Sequence, residues 1–164
     1  MLKINKKVEY ALMALKFMSE QSTESNDSLI CARQICEIFK TPFDTTAKVM
    51  QTMNNHGLLT SVKGIKGGYR LNRSLSTISY MELVEMIEGK RPESVCHNHH
   101  GRCELYSSCN IVTPIDALNR KVSSFLDHLT LAELLTGDLY SLPSLDLHAR
   151  LVPKNKEIKE EVHS

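Results

Sequence analysis

Apolar positions three and four apart open the chain: Val8, Ala11, Leu12, Leu15 and Met18 share one stripe and predict a first helix over residues 3 to 20. The run SEQSTESNDS, residues 19 to 28, offers nothing to a core and reads as a polar loop. After Leu29 and Ile30 a short helix is expected from Cys31 to Phe39, with Ile35, Ile38 and Phe39 inward and Cys31 and Cys36 packed as small hydrophobes. Thr41-Pro42 opens a third helix, with Thr41 as N-cap, Pro42 in the first turn where its missing N–H costs nothing, and Asp44 favourable to the dipole. Val49, Met50 and Met53 face inward and Gly57 is the C-terminal stop. Two short helices joined by a tight turn form a helix-turn-helix, and the second is the candidate for a major groove.

The hydrophobic period then changes. Leu58 to Val62 reads as a strand, Lys63 to Gly68 as a turn and Tyr69 to Leu71 as the returning strand, which makes a basic, glycine-rich wing. Ser79 to Glu82 is a capping box for a helix with Leu83, Val84 and Ile87 inside and Gly89 at its end. Thr113-Pro114 repeats the cap-and-proline start, and Ile115, Leu118, Val122, Phe125 and Leu129 form a seam at alternating intervals of three and four. Such a seam suits either a helix packed on its own domain or a symmetric homodimer. Thr130 to Glu133 caps a last short helix ending near Gly137, and the charged tail from Pro153 is expected to be flexible.

The fold class expected is mainly α, a winged helix-turn-helix domain with a β-hairpin wing plus a long dimerisation helix. Its divisions would be residues 1–90 for DNA binding, 91–112 for a cysteine-rich loop, 113–140 for the dimerisation and terminal helices, and 141–164 for the tail.

Composition narrows the function classes. Of 164 residues, 41% are hydrophobic and 24% charged, as in a soluble globular protein. Lys3, Lys6, Lys7, Glu9 and Lys16 interrupt the first eighteen residues, so no signal-peptide core or membrane span is expected there and the chain should stay in the cytoplasm. The net charge of +1 hides an uneven distribution. No acidic residue lies between Asp44 and Glu82, where Lys48, Lys63, Lys66, Arg70 and Arg73 fall, while the second half is rich in acids. A locally basic segment on a neutral chain suits a reader of duplex DNA. No internal repeat, phosphate loop or hydrolase motif is present, and no set of base, nucleophile and orienting group suggests an enzyme.

Three of the five cysteines, Cys96, Cys103 and Cys109, fall within fourteen residues of polar, turn-forming sequence, where a thiol is not a core filler. Thiolates suit iron–sulfur clusters and zinc. The spacing is wider than a zinc-finger knuckle, and three sulfurs are one ligand short. The fourth would come from a neighbouring histidine, a carboxylate elsewhere or another subunit.

The order of these features resembles the Rrf2 family of bacterial transcription regulators (IscR-, NsrR- and RirA-like proteins). The resemblance rests on Tyr10-Ala11-Leu12, the block from Thr41-Pro42 to Gln51, and His56-Gly57-Leu58-Leu59. The wing from Ser61 to Leu71, the helix ending Ile87-Glu88-Gly89, the three cysteines, and Phe125 to Leu134 complete it. It implies a homodimer that binds double-stranded DNA at a palindromic operator, makes no membrane contact, and holds a two-iron or four-iron cluster on Cys96, Cys103 and Cys109. Where IscR-like members carry a histidine three residues after the last cysteine, this chain has Val112. In members that sense nitric oxide, an acidic residue on the partner's first helix can complete the cluster, and Glu9 holds the similar position. Glu9 is therefore the first candidate for the fourth ligand, with His97, His99 and His100 as rivals.

Base contacts are expected from Phe43, Asp44, Thr45, Thr46 and Lys48 in the block that opens with Thr41, and backbone or minor-groove contacts from Lys63, Lys66 and Arg70. Loss or oxidation of the cluster would reset operator affinity through the spacing of the two recognition helices. The alternatives are a winged transcription factor with a structural zinc site and an iron–sulfur carrier that does not use DNA. The basic segment argues against the carrier.

Overall fold

The computed structural model describes residues 4–24, 29–91, 97–98 and 101–137. Helix α1 (Lys6–Glu24) lays Val8, Ala11, Ala14, Leu15 and Met18 into the core, as the stripe predicts. It runs through part of the expected polar loop, because residues after Ser19 such as Glu20 and Gln21 are good helix formers that need no buried face to continue the ladder.

Helix α2 (Ala32–Phe39) buries Ala32 and Ile35, and its opening N–H on Cys31 donates to the Gln34 Oε1 at 2.8 Å. Ile38 and Phe39 depart from expectation. The helix stops at Phe39, and its last turn lies at the margin of the core: Ile38 is 51% exposed, and the Phe39 ring packs edge-to-face with Phe17. Lys40 then turns the chain with a left-handed φ of 55°, the tight corner of the helix-turn-helix.

Helix α3 (Phe43–Asn55) packs Val49, Met50 and Met53 against α1 and α2, and Gly57 at φ 73° carries the chain out of it. Strands β1 (Leu59–Val62) and β2 (Gly68–Leu71) pair antiparallel from Leu59 with Leu71 to Val62 with Gly68, giving the predicted wing. A third segment joins them: Ile30 and Tyr69 exchange both backbone hydrogen bonds at 2.9 Å. This approach needs glycine at position 68, where a Cβ would lie 3.0 Å from the Ile30 carbonyl carbon and oxygen.

After a 3-10 turn at Leu75–Thr77, helix α4 (Tyr80–Glu88) buries Leu83 and Val84 and ends on Gly89. Only half of the expected capping box forms. Ser79 accepts from the Glu82 N–H at 3.1 Å, but the Glu82 carboxylate pairs with Arg73 at 2.7 Å instead of returning to the cap. A short hairpin, β3 (His97–Asn98) with β4 (Gly101–Arg102), precedes helix α5 (Val112–His128). That helix starts without a side-chain cap at Ile111, two residues before the expected Thr113, and Pro114 falls in its first turn, where no intrahelical bond is lost. Along α5, Leu126 is buried while Leu118, Val122 and Phe125 are 56%, 42% and 37% exposed. The middle of the seam is therefore left uncovered by this chain, while Leu129 at its end is buried in the core.

Helix α6 (Leu131–Thr136) returns to the body through Leu131, whose N–H donates to the Ile78 carbonyl at 2.9 Å, and its capping box is complete. The expected tail lies outside the described residues. Among the described residues no helix is long and apolar enough to cross a membrane.

Two expectations follow. Gly68→Ala should lower the unfolding free energy by about 1–3 kcal/mol in urea titration, because neither the added methyl nor the Ile30 backbone can move aside freely; an unchanged midpoint would show that Ile30 does not hold the wing. Hydrogen bonds to Glu133 from the side chain and then the backbone of Thr130 hold its carboxyl below the ordinary value of 4.5. Its stabilising effect is present above about pH 4.5 and is lost as pH falls through the lower folded value. Thr130→Ala should flatten that part of the acid limb of thermal stability, and a limb identical to wild type would contradict the assignment.

Candidate nucleic-acid interface and cysteine segment

The inner face of α3 is committed to the core, which decides what its outer face can offer. Phe43, Asp44 and Lys48 are exposed and Thr45 is half-buried. Thr46 is a correction to the expected base readers: it is 0% exposed. Its hydroxyl donates to the Thr41 Oγ1 at 2.9 Å, and Thr41 in turn donates to the Cys36 Sγ at 3.6 Å. Thr41 therefore does not cap α3, a position taken by Pro42 without a side-chain hydrogen bond. The Thr46–Thr41–Cys36 chain instead joins α3 to α2 across the turn. The signal was in the sequence, since Thr46 lies three and four residues before Val49 and Met50 on the same stripe.

The wing stands beside this face. Lys63, Lys66 and Arg70 are all exposed. The turn between the strands closes through the Gly67 N–H and the Gly64 carbonyl at 2.9 Å. Tyr69 reaches back to α3, its hydroxyl donating to the Gln51 Oε1 at 3.3 Å, while Gln51 Nε2 donates to the Asn55 Oδ1 at 2.7 Å. Those two polar residues of α3 are thus held with each other and with the wing. Asn72 locks the wing base, donating from Nδ2 to the Gly57 carbonyl at 2.9 Å. Arg73, the last basic residue of the segment, is ion-paired with Glu82 and belongs to the scaffold.

Ahead of α5, the β3–β4 hairpin sets the backbone of His97 opposite that of Arg102, the residues that adjoin Cys96 and Cys103 in sequence. Cys103 is exposed and Cys109 half-buried, both as free thiols, on turns closed by Tyr106 N–H to the Cys103 carbonyl at 2.9 Å and Ser108 N–H to the Leu105 carbonyl at 3.0 Å. Cys96, His99 and His100 lie outside the described residues, as does the side chain of His97. Among the described residues no three metal-binding side chains converge. Glu9, half-buried on α1, pairs with Lys6 at 2.7 Å and does not converge with Cys103 and Cys109 within the chain. Arg91, just before the cysteine segment, forms ion pairs with Glu85 of α4 and, at 3.1 Å, with Asp127 of α5.

The family model of Rrf2, described as an iron-dependent transcriptional regulator, matches residues 4–137. The chain belongs to the Rrf2 family. Among its relatives, the HTH-type transcriptional regulator IscR of Yersinia pestis is 26% identical over 136 residues, covering 83% of this chain and 80% of that protein. An HTH-type transcriptional regulator of Aquifex aeolicus is 25% identical over 130 residues, covering 78% of this chain and 88% of that one. The structure resembles T. potens IscR with a TM-score of 0.60 at 21% identity, over 87% of this chain and 93% of that one. It also resembles CymR, the global cysteine regulator of B. subtilis, with a TM-score of 0.57 at 24% identity, over 84% and 98% of the two chains. These neighbours share the winged-helix fold of this Rrf2 protein.

Buried and hydrogen-bonded, Thr46 should matter to stability and not to sequence reading. Thr46→Val is expected to lower the unfolding free energy by about 1 kcal/mol, the worth of an ordinary internal hydrogen bond, while leaving the sequences recovered from a random duplex library unchanged. Altered sequence preference in a stably folded Thr46→Val protein would return that residue to the interface.

Proposed function

We propose that this Rrf2 protein is a homodimeric, DNA-binding transcription regulator that reads a palindromic operator and senses redox state, nitric oxide or iron supply through an iron–sulfur cluster. One observation carries the reading: an exposed face of α3 and a basic wing stand in one chain with the exposed Cys103 and half-buried Cys109, set directly before a helix whose Leu118, Val122 and Phe125 are uncovered. Phe43, Asp44, Thr45 and Lys48 would meet base edges, with Thr41 serving their turn from behind, and Lys63, Lys66 and Arg70 would meet phosphates or the minor groove.

The seam supports the dimer. Leu118, Val122 and Phe125, with Ile111 at the start of α5, leave apolar surface at helical spacing that a second copy of α5 would cover. A symmetric pair would place two recognition helices for two half-sites.

The donor set fits a cluster. Two of the three thiols, Cys103 and Cys109, are free on polar turns, and Cys96 adjoins in sequence the hairpin that folds back towards Cys103. Cys96, Cys103 and Cys109 would hold the cluster, with Glu9 of the partner subunit completing it ahead of His97, His99 or His100. A bound cluster supplies a centre whose charge and ligands respond to oxidant and nitric oxide. The chain's own part is mechanical. Arg91 fastens the start of the cysteine segment to both α4 and α5, so its position bears on the helix that would pair the subunits and on the helix that packs against α3.

The test is anaerobic purification with iron, sulfide and zinc assays, absorption spectra and light scattering on wild type, Cys103→Ala, Glu9→Ala and Val122→Asp. Iron with sulfide, abolished by Cys103→Ala and reduced by Glu9→Ala, is the expected result, and Val122→Asp should yield monomers. Stoichiometric zinc without sulfide would make the cysteine segment a structural site, and a monomeric wild type would remove the paired half-sites.

A further inference from the structure

Ile65 is fully exposed, at 108% of its reference area, and no other large hydrophobic side chain among the described residues approaches that value. It stands at a corner of the wing turn closed between Gly64 and Gly67, a place where Pro, Asp, Asn or Ser is the ordinary choice and a β-branched aliphatic is not. Scattered surface hydrophobes are normal, but this one is held out by construction. Gly64 has a φ of 126°, and a Cβ at Gly67 would lie 2.4 Å from the Val62 carbonyl oxygen and 2.8 Å from that of Gly64. The backbone of the turn is therefore folded tightly on itself. The strand pairs behind it, and the Ile30–Tyr69 exchange behind those, fix the direction in which the tip projects.

Its surroundings define what such a point can meet. Lys63 and Lys66 flank it, both exposed, and no acidic residue occurs from residue 45 to residue 81. An apolar tip inside a positive collar matches a surface that is anionic at its rim and apolar within. The minor groove of duplex DNA has that character: phosphates line its edges, and an aliphatic side chain can enter between base pairs that unstack easily.

We infer that Ile65 is an apolar wedge which the wing presents to the minor groove, selecting operators by the deformability of a base step and not by a base edge. The inference rests on the DNA-binding reading above and adds to it a recognition element that carries no charge and makes no hydrogen bond. The preferred steps are the pyrimidine–purine ones, TA and CA/TG, whose weak stacking lowers the energy of insertion.

The experiment uses the full chain, purified anaerobically and aerobically, with duplexes selected by the wild type from a random library. Binding is measured against salt concentration for wild type, Ile65→Ser, Ile65→Leu and Lys63→Ala, with 2-aminopurine placed at successive steps under the wing. Ile65→Ser should bind about tenfold more weakly, in proportion to the apolar area no longer buried, with an unchanged salt slope and without the fluorescence rise that reports unstacking. Ile65→Leu should restore most of both. Lys63→Ala should reduce the salt slope by about two, one for each subunit of the dimer, while keeping the fluorescence rise. Ile65→Ser that matches wild type, or that weakens binding with the fluorescence rise intact, would overturn the wedge and leave the DNA-binding reading in place. Failure of the wild type to retain any duplex would overturn both.

Discussion

Burial of the inner face of α3 is the constraint on which the molecule depends. Val49, Met50 and Met53 enter the core with Thr46 beside them, against the stripe that α1 contributes. Each fully buried aliphatic side chain of this kind is worth about 1.5–3 kcal/mol, so rotation of α3 about its axis is strongly opposed. With one face fixed inward, Phe43, Asp44 and Lys48 are fixed outward. The surface available for recognition is thus a consequence of core packing.

Backbone hydrogen bonding extends that order to the wing. Two strands of four residues would be marginal alone. Ile30 adds a third point of pairing, Gly68 permits its close approach, and Tyr69 ties the returning strand to Gln51 on α3. The wing and the recognition helix therefore form one rigid head. The left-handed Lys40 and the Thr46–Thr41–Cys36 hydrogen bonds perform the same service on the other side, holding the turn between α2 and α3.

Charge is divided along the same lines. The head carries Lys48, Lys63, Lys66 and Arg70 in a stretch of sequence, residues 44 to 81, whose only acid is Asp44, which sits favourably in the first turn of α3. Three acids of α4 and α5 pair with arginines: Glu82 with Arg73, and Glu85 and Asp127 with Arg91. These pairs are partly exposed and contribute little to stability individually. Their value is positional, since Arg91 bridges two helices at the threshold of the cysteine segment.

The amino-acid sequence by itself determined the winged helix-turn-helix, the family, and most element boundaries, because these follow from local spacing: the α1 stripe, the Val49–Met53 stripe, Gly57, Gly89 and Gly137 as stops, and the basic hairpin. The outward placement of Phe43, Asp44 and Lys48 on α3 was equally legible. Tertiary structure alone decided the rest. Thr46 and Thr41 look like a reader and a cap in one dimension, and only the approach of α2 turns their hydroxyls inward. Ile38 has the spacing of a core residue, yet the end of its helix lies at the margin of the core. Glu82 completes a capping box on paper, but Arg73, nine residues away, is a stronger partner. The uncovered middle of the α5 seam is likewise a tertiary fact, since periodicity records that a helix has an apolar face and only packing shows whether its own domain has covered it.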